Sequence, residues 1–310
     1  MSIKVPLPGM ELGHVNVYVA KCDDGYGIID VGLATYEAAL ALIRGLKSAG
    51  IKPSQVSKVF ITHFHADHIT LAQLLAEIAS PDFYIGWEEF LPYHLEEVIK
   101  LYVEEYRRHG VPTQLLEGFS TLHPMSRFRK AFEDLSKLSW RRVKDGEKLD
   151  CGLEAMWTPG HTPGHMVYMS QDGVYTGDHV LPKITPNISW IPKEGYNNPL
   201  EKYLASLHKT NLKTAAYPAH GSPIPDLSQR VEELLAHHHR RLEDVLKVLT
   251  KPMTLYEVAT QMPWDAGVFH QFDVLNKLFA IGETYSHLIY LEAVGKVERV
   301  EKEVVYWRPV

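Results

Sequence analysis

The chain has 310 residues, 45% hydrophobic and 23% charged, with a formal charge of -6, a profile that supplies ample material for a large globular core. No stretch approaches the roughly 20 consecutive apolar residues of a membrane helix, and the acidic balance argues against a basic, nucleic-acid-coating surface. A small-molecule substrate is therefore the expected partner, without nucleic acid or membrane, and a homodimer is compatible with the composition. The N-terminal Met1–Met10 lacks the secretory pattern. Cys22 and Cys151 stand far apart in no paired-ligand spacing, so no disulfide and a reducing, cytoplasmic setting are expected.

Along the chain, residues 15–21 and 27–31 read as strands joined by the turn Cys22-Asp-Asp-Gly25. Apolar positions at helical spacing (Ala39, Leu40, Leu42, Ile43, Leu46) predict a helix over 35–49 that stops at Gly50. A short buried strand at 59–61 runs into a histidine cluster, and 71–78 reads as a helix. Residues 81–140 change texture to amphipathic helices, 88–108 and 128–138, and read as a helical insertion. Its aromatics Tyr84, Trp87, Phe90, Tyr93, Tyr102 and Tyr106 are expected chiefly to seal it onto the body, with pocket lining as the alternative. Strands follow at 153–157, 166–169 and 173–176, then a helix at 199–209 and a strand at 214–217. From Asp226 a long helix runs to Leu249, a second begins at Thr254 with Glu257 in capping-box spacing, a third covers 273–293, and a β pair covers 296–300 and 304–308. Three helices and a hairpin predict a winged-helix-like domain over 226–310, after a catalytic domain over 1–225.

The chemistry-bearing motif is Thr62-His63-Phe-His65-Ala-Asp67-His68. Residues two apart in extended chain point the same way, so His63 and His65 can meet one metal while Asp67 and His68, at the turn into the helix, face another. Imidazole nitrogen and carboxylate oxygen together suit zinc or iron(II). With 17 His and 14 Asp in the chain, a chance HxHxDH match is expected about 0.002 times. Three more segments, Pro159-Gly-His161-Thr-Pro-Gly-His165, Thr176-Gly-Asp178 and Pro218-Ala-His220-Gly221, each set a ligand type in a Gly- or Pro-bounded turn after a strand.

This order of motifs, HxHxDH, then His, Asp and His, resembles the metallo-β-lactamase superfamily across residues 15–221. The resemblance implies an α/β fold, a four-layer αβ/βα sandwich with its site at one edge. It implies His63, His65 and His161 on one metal, Asp67, His68 and His220 on the other, and Asp178 bridging them. Ile28-Ile-Asp30-Val-Gly32 resembles the strand-turn behind that site, which makes Asp30 a support for the ligands. His165 and His179 adjoin ligands and are expected to support them or touch substrate. His237, His238 and His239 are consecutive on a helix, about 100° apart, and are expected on the solvated surface. His94 and His109 are the insertion histidines expected nearest the pocket.

Two divalent ions, zinc foremost with iron or manganese as alternatives, would leave room for a bridging hydroxide near neutral pH. It would attack an acyl ester, thioester or lactone, with Asp67 accepting a proton while ligating. Asp178 stands where many zinc β-lactamases use Cys or Ser, which disfavours β-lactam hydrolysis. The ligand set resembles that of the glyoxalase II hydrolases, whose glutathione-binding residues find no match. Two alternatives resemble other members: an endoribonuclease-type phosphodiesterase with a winged-helix extension, and a sulfur dioxygenase with one iron. Residues 226–310 carry 10 Lys and Arg against 13 Asp and Glu, a poor match to phosphate; packing on the hydrolase body or a dimer contact is the expected role of this segment.

Overall fold

A computed structural model describes residues 1–91 and 94–310, and Tyr93 of the insertion lies outside the described residues. Alternation along the strands dictates the layers. β1 (Ser2–Pro6), β2 (His14–Cys22), β3 (Gly25–Ile29), β4 (Val56–Phe60), β5 (Asp82–Gly86) and β6 (Trp140–Val143) form one sheet in that order, antiparallel at β1–β2–β3 and parallel from β3 to β6. β7 (Glu154–Trp157), β8 (Met166–Ser170), β9 (Gly173–Gly177) and β10 (Ala216–Pro218) form a second, in the order β10-β9-β8-β7. Tyr18, Ile29, Phe60 and Tyr84 of the first sheet pack against Ala155, Met166 and Tyr168 of the second. Their neighbours Val17, Val19, Ile28, Val59, Phe83 and Ile85 point the other way, onto helices α1 (Tyr36–Ser48) and α3 (Ala72–Ile78), the short α2 (Ala66–Ile69) preceding the latter. Met156, Val167 and Val174 likewise leave the inter-sheet core for a second helical layer. The two-residue period of strand side chains thus yields helix, sheet, sheet and helix, the four layers expected.

The insertion departs from expectation in detail. Residues 88–91 are not helical, consistent with the restriction that Pro92 places on Leu91. The helices are α4 (Leu95–Arg108), α5 (Thr113–Leu122), α6 (Pro124–Arg127) and α7 (Arg129–Asp134); α5 lies in a stretch with no predicted element. β1, β5 and β6 were also not predicted. β6 is four residues long with two exposed arginines, too short and too polar to stand out.

After β9, α8 (Pro199–Lys209) and α9 (Leu227–Val248) supply the outer layer beside the second sheet, burying Leu200, Tyr203, Leu207, Leu227, Val231 and Leu234. α10 (Leu255–Gln261) starts with the capping box of Thr254 and Glu257, and α11 (Val274–Ala293) is capped by Asp273. The hairpin β11 (Val297–Val300) and β12 (Tyr306–Pro309) closes the chain. These C-terminal elements pack on the insertion: Trp307 is fully buried and its indole donates to His109 Nδ1 at 3.3 Å, while Tyr285 of α11 donates to Glu105 of α4. His109 is therefore an interface residue between α4, α11 and β12 rather than a pocket group, and His94 is an exposed residue at the start of α4.

Two further expectations are corrected. Cys22, at the end of β2, and Cys151, in the turn before β7, are joined by a disulfide with Cα atoms 4.1 Å apart. The 129-residue separation hides that both lie at one edge of the inter-sheet core, where Gly27 leaves room beside both sulfurs. A paired Cys22 and Cys151 give no reason to expect a reducing compartment. His238 is buried on α9 and stacks on His287 of α11 at 5.4 Å, because α9 is covered on that face by α11; His237 is half-buried, and only His239 of the three is solvated. Among the described residues, no helix is long and apolar enough to cross a membrane.

Candidate metal centre

The residues singled out from the sequence converge at the C-terminal ends of four strands. β4 delivers His63, His65, Asp67 and His68 through its following turn and α2; the loop after β7 delivers His161; Asp178 follows directly on β9, and His220 lies two residues past β10. Three groups of donor atoms lie within 4.8 Å of one another and could each hold a metal ion: His63, His65 and His161; Asp67, His68 and His220; and His63, His68 and Asp178. His161 Nε2 faces His65 Nδ1 at 2.9 Å. Asp67 Oδ2 lies 3.3 Å from His220 Nε2 and 3.5 Å from His68 Nε2. Asp178 sits between the groups, with Oδ1 3.4 Å from His220 Nε2 and Oδ2 3.6 and 3.7 Å from His68 and His161.

What aims these imidazoles is the far side of each ring. His68 Nδ1 donates to Asp30 at 2.8 Å, His161 Nδ1 to the Asn187 carbonyl at 2.8 Å, and His220 Nδ1 to the His14 carbonyl at 2.9 Å. Thr62 gives its hydroxyl proton to Asp30 and accepts from His63 Nδ1 at 3.0 Å. With Nδ1 engaged, the neutral tautomer presents an Nε2 lone pair inward. The inward atoms His63 Nε2, His68 Nε2, His220 Nε2 and Asp178 Oδ1 are buried without a hydrogen-bond partner among the described residues. Uncompensated burial of so many polar atoms is costly, and a cation among them would satisfy all four.

Charge follows the same geometry. Burial and neighbouring imidazoles pull His63 well below the ordinary imidazole range, and burial dominates at His65 and His161 as well. At His68 and His220 burial acts the same way, but the carboxylates of Asp67 and Asp178, with Asp30 at His68, outweigh it and raise both. Burial would raise Asp67, yet His68 and His220 hold it at about 2, and Asp178 is lowered by the same two imidazoles.

Asp30 is buried at φ 59°, a left-handed conformation that Asp tolerates better than most residues, and its carboxylate also accepts from Thr62 N at 2.8 Å. His165 is buried behind the cluster, bonded to Thr158 through Nδ1 and accepting from Asp178 N at 3.3 Å through Nε2. Gly177, at φ 52°, makes that approach possible, since a Cβ there would lie 2.8 Å from Thr62 and 2.9 Å from His165. His179 turns away to Thr210 beyond α8, and both it and His165 are fully buried.

Several supporting residues carry no motif. Asn16 and Tyr18 of β2 donate to the Pro218 carbonyl, and Asn16 also to that of Gly221, clamping the turn that bears His220. Glu89 is buried beside the His161 loop, where it accepts from Thr162 Oγ1 at 2.7 Å; burial pushes its carboxyl up to about 7. Gly164 lets that loop lie against the Glu88–Glu89 backbone. Motif spacing could reveal none of these, because the groups they hold are mostly backbone.

The model of the metallo-beta-lactamase superfamily matches residues 10–220. Among known proteins, the probable metallo-hydrolase YqjP of Bacillus subtilis (strain 168) is 30% identical over 329 residues, 99% of this chain and 97% of that protein. An atrochrysone carboxyl ACP thioesterase of Aspergillus fumigatus is 32% identical over 252 residues, 78% of this chain and 62% of the relative. Of solved structures, a metallo-beta-lactamase family protein from Thermus thermophilus, TTHA1429, superposes with a TM-score of 0.81 at 29% identity, covering 100% of this chain and 98% of its own. A beta-lactamase domain protein from Burkholderia ambifaria also reaches 0.81, at 26% identity, with 100% and 92% covered.

Proposed function

The chain belongs to the metallo-β-lactamase superfamily, and from that premise we propose that this metallo-hydrolase cleaves acyl thioesters, with esters and lactones as neighbouring substrates. His63, His65 and His161 would hold one divalent ion and Asp67, His68 and His220 a second, with Asp178 shared. Zinc suits this ligand set best, and iron or manganese are compatible with it. Such ions, when bound, supply a water acidified toward neutral pH and an electrophile for a carbonyl oxygen. The observation that carries the reading is the set of unpartnered inward atoms, His63 Nε2, His68 Nε2, His220 Nε2 and Asp178 Oδ1.

The protein's own groups divide the remaining work. Asp67, held ionised by His68 and His220, accepts a hydrogen bond and then a proton from the attacking water at its carboxylate. Asp30, Thr62 and the Asn187 and His14 carbonyls keep the imidazoles oriented. Phe64, buried in the core, packs on His65 at 4.8 Å and on Phe90 at 5.6 Å and so backs the His65 ring. The thioester preference takes its support from the fungal relative named as an ACP thioesterase. In this reading residues 1–225 carry every metal ligand; of 226–310, α9 completes the outer layer beside the second sheet and the remainder is a winged-helix-like unit packed on the insertion.

Metal analysis of the purified chain joined to a substrate panel tests the proposal. About two ions per chain and thioester hydrolysis that is abolished by a chelator and restored by zinc are expected. One iron with oxygen-dependent turnover, or cleavage of RNA in place of thioesters, would overturn it.

A further inference from the structure

The segment between His179 and α8 runs past the metal centre, and its middle is fastened to α11. Asn187 presents its carbonyl to His161 Nδ1 at 2.8 Å while its side chain faces the opposite way: Nδ2 donates to the Phe279 carbonyl on α11 at 3.2 Å, and Oδ1 accepts from Ser189 at 2.5 Å. Ser189 lies against α11 at Gly282, where a Cβ would overlap its hydroxyl. Ile188 and Ile191 are buried on either side, and Trp190 packs on Tyr102 of α4 at 5.7 Å and Tyr285 of α11 at 5.9 Å. The acceptor at the outer nitrogen of His161 therefore comes from a strap fastened to a helix beyond residues 10–220, the part matched to the family model.

We propose that Asn187 is a positioning residue through which α11 sets the orientation of His161, so that the C-terminal segment is a working part of the metal centre. The inference rests on the reading of His161 as a metal ligand. Partners on the far nitrogen of a ligating imidazole fix its ring, and their loss weakens metal binding by about 10–100-fold. Asn187→Ala keeps the backbone carbonyl but releases it from α11. Gly282→Ala reaches the same strap from the helix, touching no group of the metal centre.

Cobalt(II) binding to the full chain, followed by chelator competition and by the visible d–d spectrum, separates the alternatives. In Asn187→Ala, and in Gly282→Ala, cobalt at the site containing His161 is expected to bind about 10–100-fold more weakly with an altered spectrum, while the ion held by Asp67, His68 and His220 keeps its affinity. Ser189→Ala, which removes a single hydrogen bond from the strap, should give a smaller loss in the same site and secures the test if Asn187→Ala does not fold. Unchanged affinity and spectrum in folded variants would overturn the proposal, as would equal weakening of both ions, the mark of general loosening. If His161→Ala itself leaves cobalt binding untouched, the ligand assignment fails instead, which distinguishes the two.

Discussion

Two groups of histidines are buried in this chain, and they differ in what surrounds them. At the strand ends, five imidazoles face the carboxylates of Asp67 and Asp178, each ring save His65 held through Nδ1 by a protein acceptor. Between α9 and α11, His238 stacks on His287 and packs against Tyr203; Arg241 adds positive charge, and Glu283 is taken up by Arg241. Burial makes both groups neutral by default. Only the first adds carboxylates that raise His68 and His220 again, and only there do unpaired donors converge. Histidine density is thus no guide to a metal centre; what marks one is imidazoles oriented from behind and carboxylates in front.

The comparison is broken most forcefully by His63→Leu, which keeps the volume of a fully buried side chain and removes its inward nitrogen. A loss of about 10³-fold or more in thioester turnover is expected, since several kcal/mol of transition-state stabilisation depend on the ions. Steady-state kinetics with metal analysis checks this, and turnover within a few-fold of wild type would remove the cluster's special status.

A second pair of predictions concerns pH. Burial, with a contribution from Arg241 and His237, lowers His287 to about 4, so between about pH 6.5 and 4 the unfolded chain takes up a proton that the folded chain refuses. Stability falls as pH drops through that window, by on the order of 3 kcal/mol from this group. Glu89 has the opposite sign. Its folded value of about 7 lies above the unfolded one, so the folded chain holds the extra proton and stability falls as pH rises from about 4.5 to 7, again by on the order of 3 kcal/mol. Denaturant unfolding of His287→Gln and Glu89→Gln across pH 4–8 should lose these opposed slopes relative to wild type. A Glu89→Gln curve parallel to wild type would show that Glu89 stays charged when buried.

How much of this was legible follows from where the information resides. The motif from His63 to His68 is local, and one strand end with its turn places four candidate ligands, so their convergence could be read directly. Asp178 and His220 were readable as ligand types in Gly- or Pro-bounded turns after strands, in the order of the motifs, and the parallel pairing of β9 and β10 sets them side by side. Asn187 was not, because a backbone carbonyl has no residue signature, and His14 contributes in the same way. The Cys22–Cys151 pair and the burial of His238 were misread for a shared reason: each depends on which distant element covers a surface, and periodicity within one segment carries no trace of that. β6 was lost between helices because its burial comes from pairing with β5, not from its own apolar content.

The smallest expected effect sharpens the comparison from its other side. His238 is enclosed by Tyr203 and His287 and has one nitrogen without a partner, so His238→Leu exchanges an imperfectly satisfied imidazole for an apolar side chain of similar volume. Such exchanges in packed cores usually cost less than about 1.5 kcal/mol, and here the relief from removing the unpartnered Nε2 is offset by the loss of Nδ1, which lies 3.3 Å from His287 Nε2 and leaves that buried nitrogen unpaired. Metal content and turnover should stay within about two-fold of wild type, a margin of roughly 0.4 kcal/mol. Loss of metal in His238→Leu, read beside its loss in His63→Leu, would mean that the two histidine groups are coupled through α9 and α11, and the distinction between a chemical cluster and a packing cluster would have to be abandoned.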